Sequence, residues 1–209
     1  MKKPKTKVDV KLLMALMFFT STMVCSAQIR LNAFRVAALN EAVTLPSYKV
    51  IKLPIHPGAL IGVDLWQKTT KHWTKTMGVD LSYYYHNLYE HATMLDAAYT
   101  LGYKFNFGLQ TKLLTNVGYK QSFLTGDVFK FKNGDYERVY LTGQAQLNIK
   151  LGLGLEYPVN EKWSITTDYK FMLAMPYAPK SGKPFATHSL FGLGIKINLV
   201  GNGSKTVTQ

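Results

Sequence analysis

The sequence predicts an all-β fold, an antiparallel up-and-down barrel of eight strands that crosses a membrane, and three observations carry that prediction. From about Ala59 onward, segment after segment alternates apolar with polar residues at period two. Strands whose two faces meet different surroundings have this pattern. The connections between the segments are short and long by turns, as on the two rims of a membrane barrel. Aromatic residues gather near the segment ends, at Trp66, Trp73, Tyr83, Tyr85, Tyr103, Phe105, Tyr157, Trp163 and Tyr169. Amphipathic rings suit a boundary between apolar and wet surroundings. A soluble sandwich or lipocalin-like fold also alternates but turns its apolar face inward. The belts, together with polar faces rich in glycine and charge, favour lipid on the outside. Closure then leaves no unpaired strand edge in the lipid.

The elements follow in order. Residues 1–27 read as a cleaved export signal: Lys2, Lys3, Lys5, Lys7 and Lys11 precede an apolar stretch from Leu12 to Val24, and Cys25-Ser26-Ala27 supplies small residues before Gln28. Lipidation of Cys25 is the alternative, although Val24 stands where such signals carry a small residue. Residues 28–57 must contain a first strand, because seven later segments are countable and a bacterial barrel has an even number. Residues 29–39 are assigned to it despite poor alternation. An amphipathic helix over 32–43, followed by a short strand over 48–53, is the other reading. His56-Pro57-Gly58 is assigned as a turn, since Pro and Gly interrupt pairing.

The barrel proper is placed at 58–200. Its strands are 59–66 (Ile61, Val63 and Leu65 outward, Asp64 inward), 74–86, 93–105, 109–123, 140–157, 163–173 and 187–199. The clearest is 140–157, where Leu147, Ile149, Leu151, Leu153 and Leu155 alternate with Gln146, Asn148, Lys150, Gly152 and Gly154. Short turns fall at 106–108 and 158–162. Long polar connections fall at 122–139, which holds the Asn133-Gly134 hairpin signal, and at 175–185. The long connections are placed outside the cell and the short turns in the periplasm. Residues 201–209 form a polar tail.

Composition removes several classes of function. With 25 basic against 12 acidic residues the net charge is +13, which would ordinarily suggest nucleic acid. Five lysines and Asp9 leave with the signal, so these counts become 20 and 11 and the net charge +9. An exported protein is no partner for nucleic acid. The single Cys also leaves with the signal, so no disulfide framework is available. The mean hydropathy is −0.04, and no apolar run reaches the roughly 18 residues of a spanning helix.

The signal, the LGLGLEYPVNEKWSITTDY hairpin and the closing SLFGLGIKINL strand resemble small eight-stranded Gram-negative outer-membrane proteins. The stretch TLPSYKVIKLPIHPGALIGVD with GVDLSYYYH is similar to a family of exported barrels without an assigned activity. The resemblance implies residence in the outer membrane and contact with its lipids and lipopolysaccharide. The tail after Leu199 departs from the aromatic ending common in such barrels.

Chemistry-bearing residues cluster on the inward faces: Asp64, Asp80, Asp96, Glu156 and Asp168 with Lys104, Lys112, Lys120, Lys150, Lys170 and Lys196. Eight strands enclose little more than their own side chains, so these charges are expected to pair and fill the lumen. A narrow ion-conducting pore is the second alternative. The histidines at 56, 72, 86, 91 and 188 show no metal-ligand spacing, so no metal or cofactor is expected. His86 and His188 are expected to point inward near the outer rim with Asp96 on a neighbouring strand. A His polarised by a carboxylate could activate Ser82, which makes these the candidates for a lipid A- or phospholipid-modifying site. The His188-Ser189 pair lacks the His-x-Ser-Asn arrangement of lipid A deacylase barrels, and in a strand Ser189 faces lipid. The expected function is a non-catalytic envelope or surface-interaction role, as a monomer, with 122–139 and 175–185 open to a surface ligand. Lys130, Lys132, Arg138, Lys180 and Lys183 on those loops are suited to lipopolysaccharide phosphates.

Overall fold

The computed structural model describes residues 31–43, 55–87, 89–125, 128–132, 134–139, 143–177 and 184–199. In chain order the strands are β1 (Ala33–Ala42), β2 (Pro57–Thr69), β3 (Trp73–Tyr85), β4 (Glu90–Lys104), β5 (Gln110–Leu124), β6 (Val128–Lys132), β7 (Asp135–Val139), β8 (Gln144–Pro158), β9 (Trp163–Met175) and β10 (Ala186–Asn198). Eight of them close a barrel in the order β1-β10-β9-β8-β5-β4-β3-β2, antiparallel at every seam, including β1 against β10. β6 and β7 form a separate hairpin, in which Lys132 faces Asp135 and Gly134 adopts φ +92°. That left-handed geometry suits a tight hairpin turn, as the Asn-Gly pair predicts.

The burial pattern inverts that of a soluble protein. Along β3, Trp73, Met77, Leu81, Tyr83 and Tyr85 are exposed, while Thr74, Thr76, Asp80, Ser82 and Tyr84 are buried. On β8, Leu147, Ile149, Leu151, Leu153 and Leu155 lie outside, and Gln146, Asn148, Lys150 and Glu156 inside. Inward glycines give the buried charges room. A Cβ on Gly118 would stand 2.4 Å from Asp96 Oδ1, and one on Gly62 would stand 2.4 Å from Asp80 Oδ1. Side chains cross the lumen over these positions.

β1 is a strand, so the helix over 32–43 is overturned, and it runs Ala33–Ala42 where 29–39 was expected. Its backbone pairs with both β10 and β2, and a helix there would leave both neighbours with unpaired edges. Its alternation is weak because Ala37 and Leu39 share the inward face with Arg35 and Glu41, while Asn40 lies on the opposite face. His56-Pro57-Gly58 is not the turn: Pro57 opens β2 opposite Asn40, a first position where a missing N–H is tolerated. The alternative short strand at 48–53 falls outside the described residues, as do 1–30 and 200–209.

Two further corrections concern faces. The β2–β3 register shifts between Asp64 and Trp66, so Leu65 sits in a bulge and Trp66 takes the outward place opposite Met77. Lys104 ends β4 at the mouth and is exposed, not part of the buried set. The connections at 70–72, 105–109 and 159–162 lie on one rim, with the start of β1 and the end of β10. The strand ends Ala42 and Pro57, Tyr85 and Glu90, Leu124 and Gln144, and Met175 and Ala186 lie at the other, called here the long rim.

Candidate functional site

The lumen is filled by ion pairs. Near the short-turn rim Arg35 bridges Asp64 at 2.9 Å and Asp80 at 2.8 Å. Lys196 stands 3.4 Å from Asp64 and 3.7 Å from Glu156, and Lys112 lies 3.7 Å from Glu156 and 3.4 Å from Asp168. At mid-height Lys150 Nζ donates to Asp96 Oδ2 at 2.5 Å, Lys170 approaches Asp168 at 3.8 Å, and Asn116 donates to Asp80 at 3.0 Å. A cavity of about 20 Å³ lined by Asp80, Ser82, Asn116, Lys150 and Lys170 remains, roughly the room for one water. A second of about 20 Å³ lies among Arg35, Asp64, Lys112 and Lys196.

Toward the long rim, Tyr84, Ala92, Met94, Met172 and Leu190 form a buried apolar layer across the lumen. Tyr83 and Tyr85 face out and Tyr84 faces in, as strand alternation requires. The Tyr84 hydroxyl donates to Glu90, and Lys120 also donates to Glu90. His188, fully buried, bonds Glu41 Oε1 through Nδ1 at 2.7 Å, and its Nε2 lies 3.4 Å from Lys120 Nζ.

Both rim histidines predicted to face inward therefore lie at the long rim, but Asp96 is not with them. Its partner is Lys150, and the carboxylate on His188 is Glu41. Ser82 Oγ is buried without a hydrogen-bond partner among the described residues and lines the mid-lumen cavity with Lys150. Ser189, paired with Ala42 and Phe171, lies on the opposite side of β10 from His188. Among the described residues, the group at His188 Nε2 is the Lys120 amine, 3.4 Å away, and no hydroxyl or thiol is paired with that nitrogen.

His86, just past β3, stacks on His56, with ring centroids 3.6 Å apart. Burial, reinforced by the neighbouring His56 ring, holds the His86 pKa below the ordinary 6.5. His56 Nδ1 contacts the Glu41 carbonyl at 3.0 Å. Glu41, His56 and His86 each bring one potential ligand atom within 4.8 Å of the others. The remaining histidines stand apart: His72 contacts the Lys104 carbonyl at the short-turn rim, and His91 stacks on Phe123. Reading the sequence missed Arg35, Glu41 and Glu90, which carry much of the interior pairing. Arg35 and Glu41 stand six residues apart in the weakly alternating first strand. That even spacing, which puts both on one face, was the available signal.

No curated protein matches the chain. Among solved structures, Neisserial surface protein A superposes with a TM-score of 0.53 at 10% identity, covering 80% of this chain and 95% of that one. Ail, the attachment invasion locus protein of Yersinia pestis, has a TM-score of 0.47 at 10% identity, with coverage of 80% and 99%. The outer membrane enzyme PagL has a TM-score of 0.47 at 11% identity, with coverage of 80% and 99%. The outer membrane protein β-barrel domain matches residues 60–197, most of the closed barrel and its inverted faces. The chain belongs to that outer-membrane β-barrel family.

Proposed function

We propose that the protein is a non-catalytic, non-conducting outer-membrane barrel whose activity lies in contacts made by its long rim at the cell surface. The observation that carries this reading is the filled lumen: layered ion pairs and an apolar layer, with cavities of about 20 Å³ between them and one of about 100 Å³ confined to the short-turn mouth among Thr74, Glu156, Ser164 and Lys196. A conducting path needs a continuous hydrated gap, and side chains fill this interior. A rim hydrolase needs a base with a free lone pair facing a nucleophile, and Lys120 adjoins His188 Nε2. The proposed orientation puts 122–139 and 175–185 outside the cell, beside lipopolysaccharide. The hairpin β6–β7 extends the first of these loops as a paired element suited to presenting a surface contact.

The test is mass spectrometry of envelope lipids from cells with and without the protein, joined to conductance recording in planar bilayers. Unchanged lipids and a silent bilayer are expected. A gained or lost acyl chain would replace this reading with an enzyme, and steady single-channel steps would replace it with a pore.

A further inference from the structure

We propose that Glu41, His56 and His86 form a binding site for a divalent transition-metal ion, of the class that takes imidazole and carboxylate ligands, at the long rim. The three residues leave the ends of three neighbouring strands: Glu41 at the end of β1, His56 at the entry to β2 and His86 at the exit from β3. Their nearest ligand atoms lie within 4.8 Å of one another. A tetrahedral Zn²⁺ site with bonds of about 2.1 Å has ligand atoms roughly 3.4 Å apart. The two imidazoles stack with centroids 3.6 Å apart, so their in-plane lone pairs run nearly parallel, and the rings must swing out of the stack to converge on one ion.

The hydrogen-bond pattern leaves the required lone pairs available. A carbonyl oxygen only accepts, so the contact from His56 Nδ1 to the Glu41 carbonyl, 3.0 Å long, puts the proton on Nδ1. Nε2 then carries the lone pair that can ligate; Nδ1 is the nitrogen 3.8 Å from Glu41 Oε2, so the ring must turn to bring Nε2 to the ion. Glu41 is held through Oε1 by His188 Nδ1 at 2.7 Å, while its Oε2 is buried without a hydrogen-bond partner among the described residues. His86 Nδ1 is likewise buried and unpartnered. Two such orphaned acceptors at neighbouring strand ends are what a cation would satisfy. His188 serves as the outer support that orients the carboxylate, the arrangement typical of protein metal centres.

The donor set selects the ion. Two imidazoles and one carboxylate suit Zn²⁺, Cu²⁺ or Ni²⁺, whereas Mg²⁺ and Ca²⁺ prefer all-oxygen shells. Three protein ligands are one short of the four of a tetrahedral zinc ion, so water completes the shell. Binding would tie together the strand ends that bear the connections at 43–56 and 86–89, and so stiffen one sector of the rim that the proposed function assigns to surface contact.

The test uses the full, untagged barrel refolded in detergent and titrated with Zn²⁺ by calorimetry. One ion per chain is expected. His56→Ala and His86→Ala should each weaken binding by about tenfold or more while keeping the heat-dependent gel mobility of a folded barrel. His72→Ala and His91→Ala should bind as the parent does. On the parent protein, which needs no variant to fold, Cu²⁺ spin resonance should report two coupled nitrogens. No saturable binding, undiminished binding in both His56→Ala and His86→Ala, or a copper signal with fewer than two nitrogens would each overturn the proposal. These readouts are independent of lipid composition and conductance, so the site and the proposed function stand or fall separately.

Discussion

Replacing Lys150 with Met interrogates the lumen directly. Lys150 on β8 reaches across to Asp96 on β4, with N–O separation 2.5 Å and side-chain exposures of 3% and 0%. At that distance two unit charges attract by about 7 kcal/mol at an effective dielectric of about 20, offset by several kcal/mol of desolvation for each ion. The net worth of the pair is therefore small, but breaking it is costly. Asp96 Oδ1 already lacks a hydrogen-bond partner among the described residues, and Lys150→Met would remove the bond to Oδ2 as well. The expected loss is about 3–5 kcal/mol. Asp96→Leu together with Lys150→Met removes both charges, and the double variant should recover to within about 1 kcal/mol of the parent. Urea unfolding in phospholipid vesicles, followed by Trp66, Trp73 and Trp163 fluorescence, measures both, with an unchanged denaturant slope as the check on mechanism. A single variant costing under about 1 kcal/mol, with additive effects in the pair, would mean that water solvates these charges. The filled lumen would then be wrong.

Two other outcomes follow from particular residues. Because His86 has its pKa below 6.5 in the fold, the unfolded chain takes up the proton first as pH falls. Its stabilising contribution is complete above that value and shrinks as pH drops from there toward the folded pKa. The urea midpoint should thus fall less for His86→Asn than for the parent between about pH 7.5 and about pH 5.5, and an identical fall would refute the assignment. Gly118→Ala would place a Cβ 2.2 Å from the Leu95 carbonyl oxygen and 2.4 Å from Asp96 Oδ1. Since backbone cannot yield cheaply, β4 and β5 must separate, at a cost of about 1–3 kcal/mol. A midpoint equal to that of the parent would show that the barrel wall has slack there.

Period-two patterning made seven of the eight barrel strands legible, because a side chain in a membrane barrel faces either lipid or lumen and each neighbour faces the other. The same rule put Tyr84 inside and Tyr83 and Tyr85 outside. It failed in β1, where small residues and Leu39 on the inward face blur the contrast, and at Leu65, where one bulged residue shifts the phase. The inward charges were also readable as a set. Partner choice was not: Lys150 meets Asp96, Arg35 meets Asp64 and Asp80, and Glu41 meets His188, 147 residues away. These pairings depend on the stagger at which strands distant in sequence close the barrel, and on glycines such as Gly118 that let side chains cross. The pairing register of β2 with β3 brings His56 onto His86, thirty residues apart in a sequence that offers no metal-ligand spacing between them. The sequence by itself determined which faces meet lipid and how many strands must close. Only the tertiary structure decided which charges neutralise one another and which polar atoms are left at the rim, because those depend on distances across the lumen that local pattern does not encode.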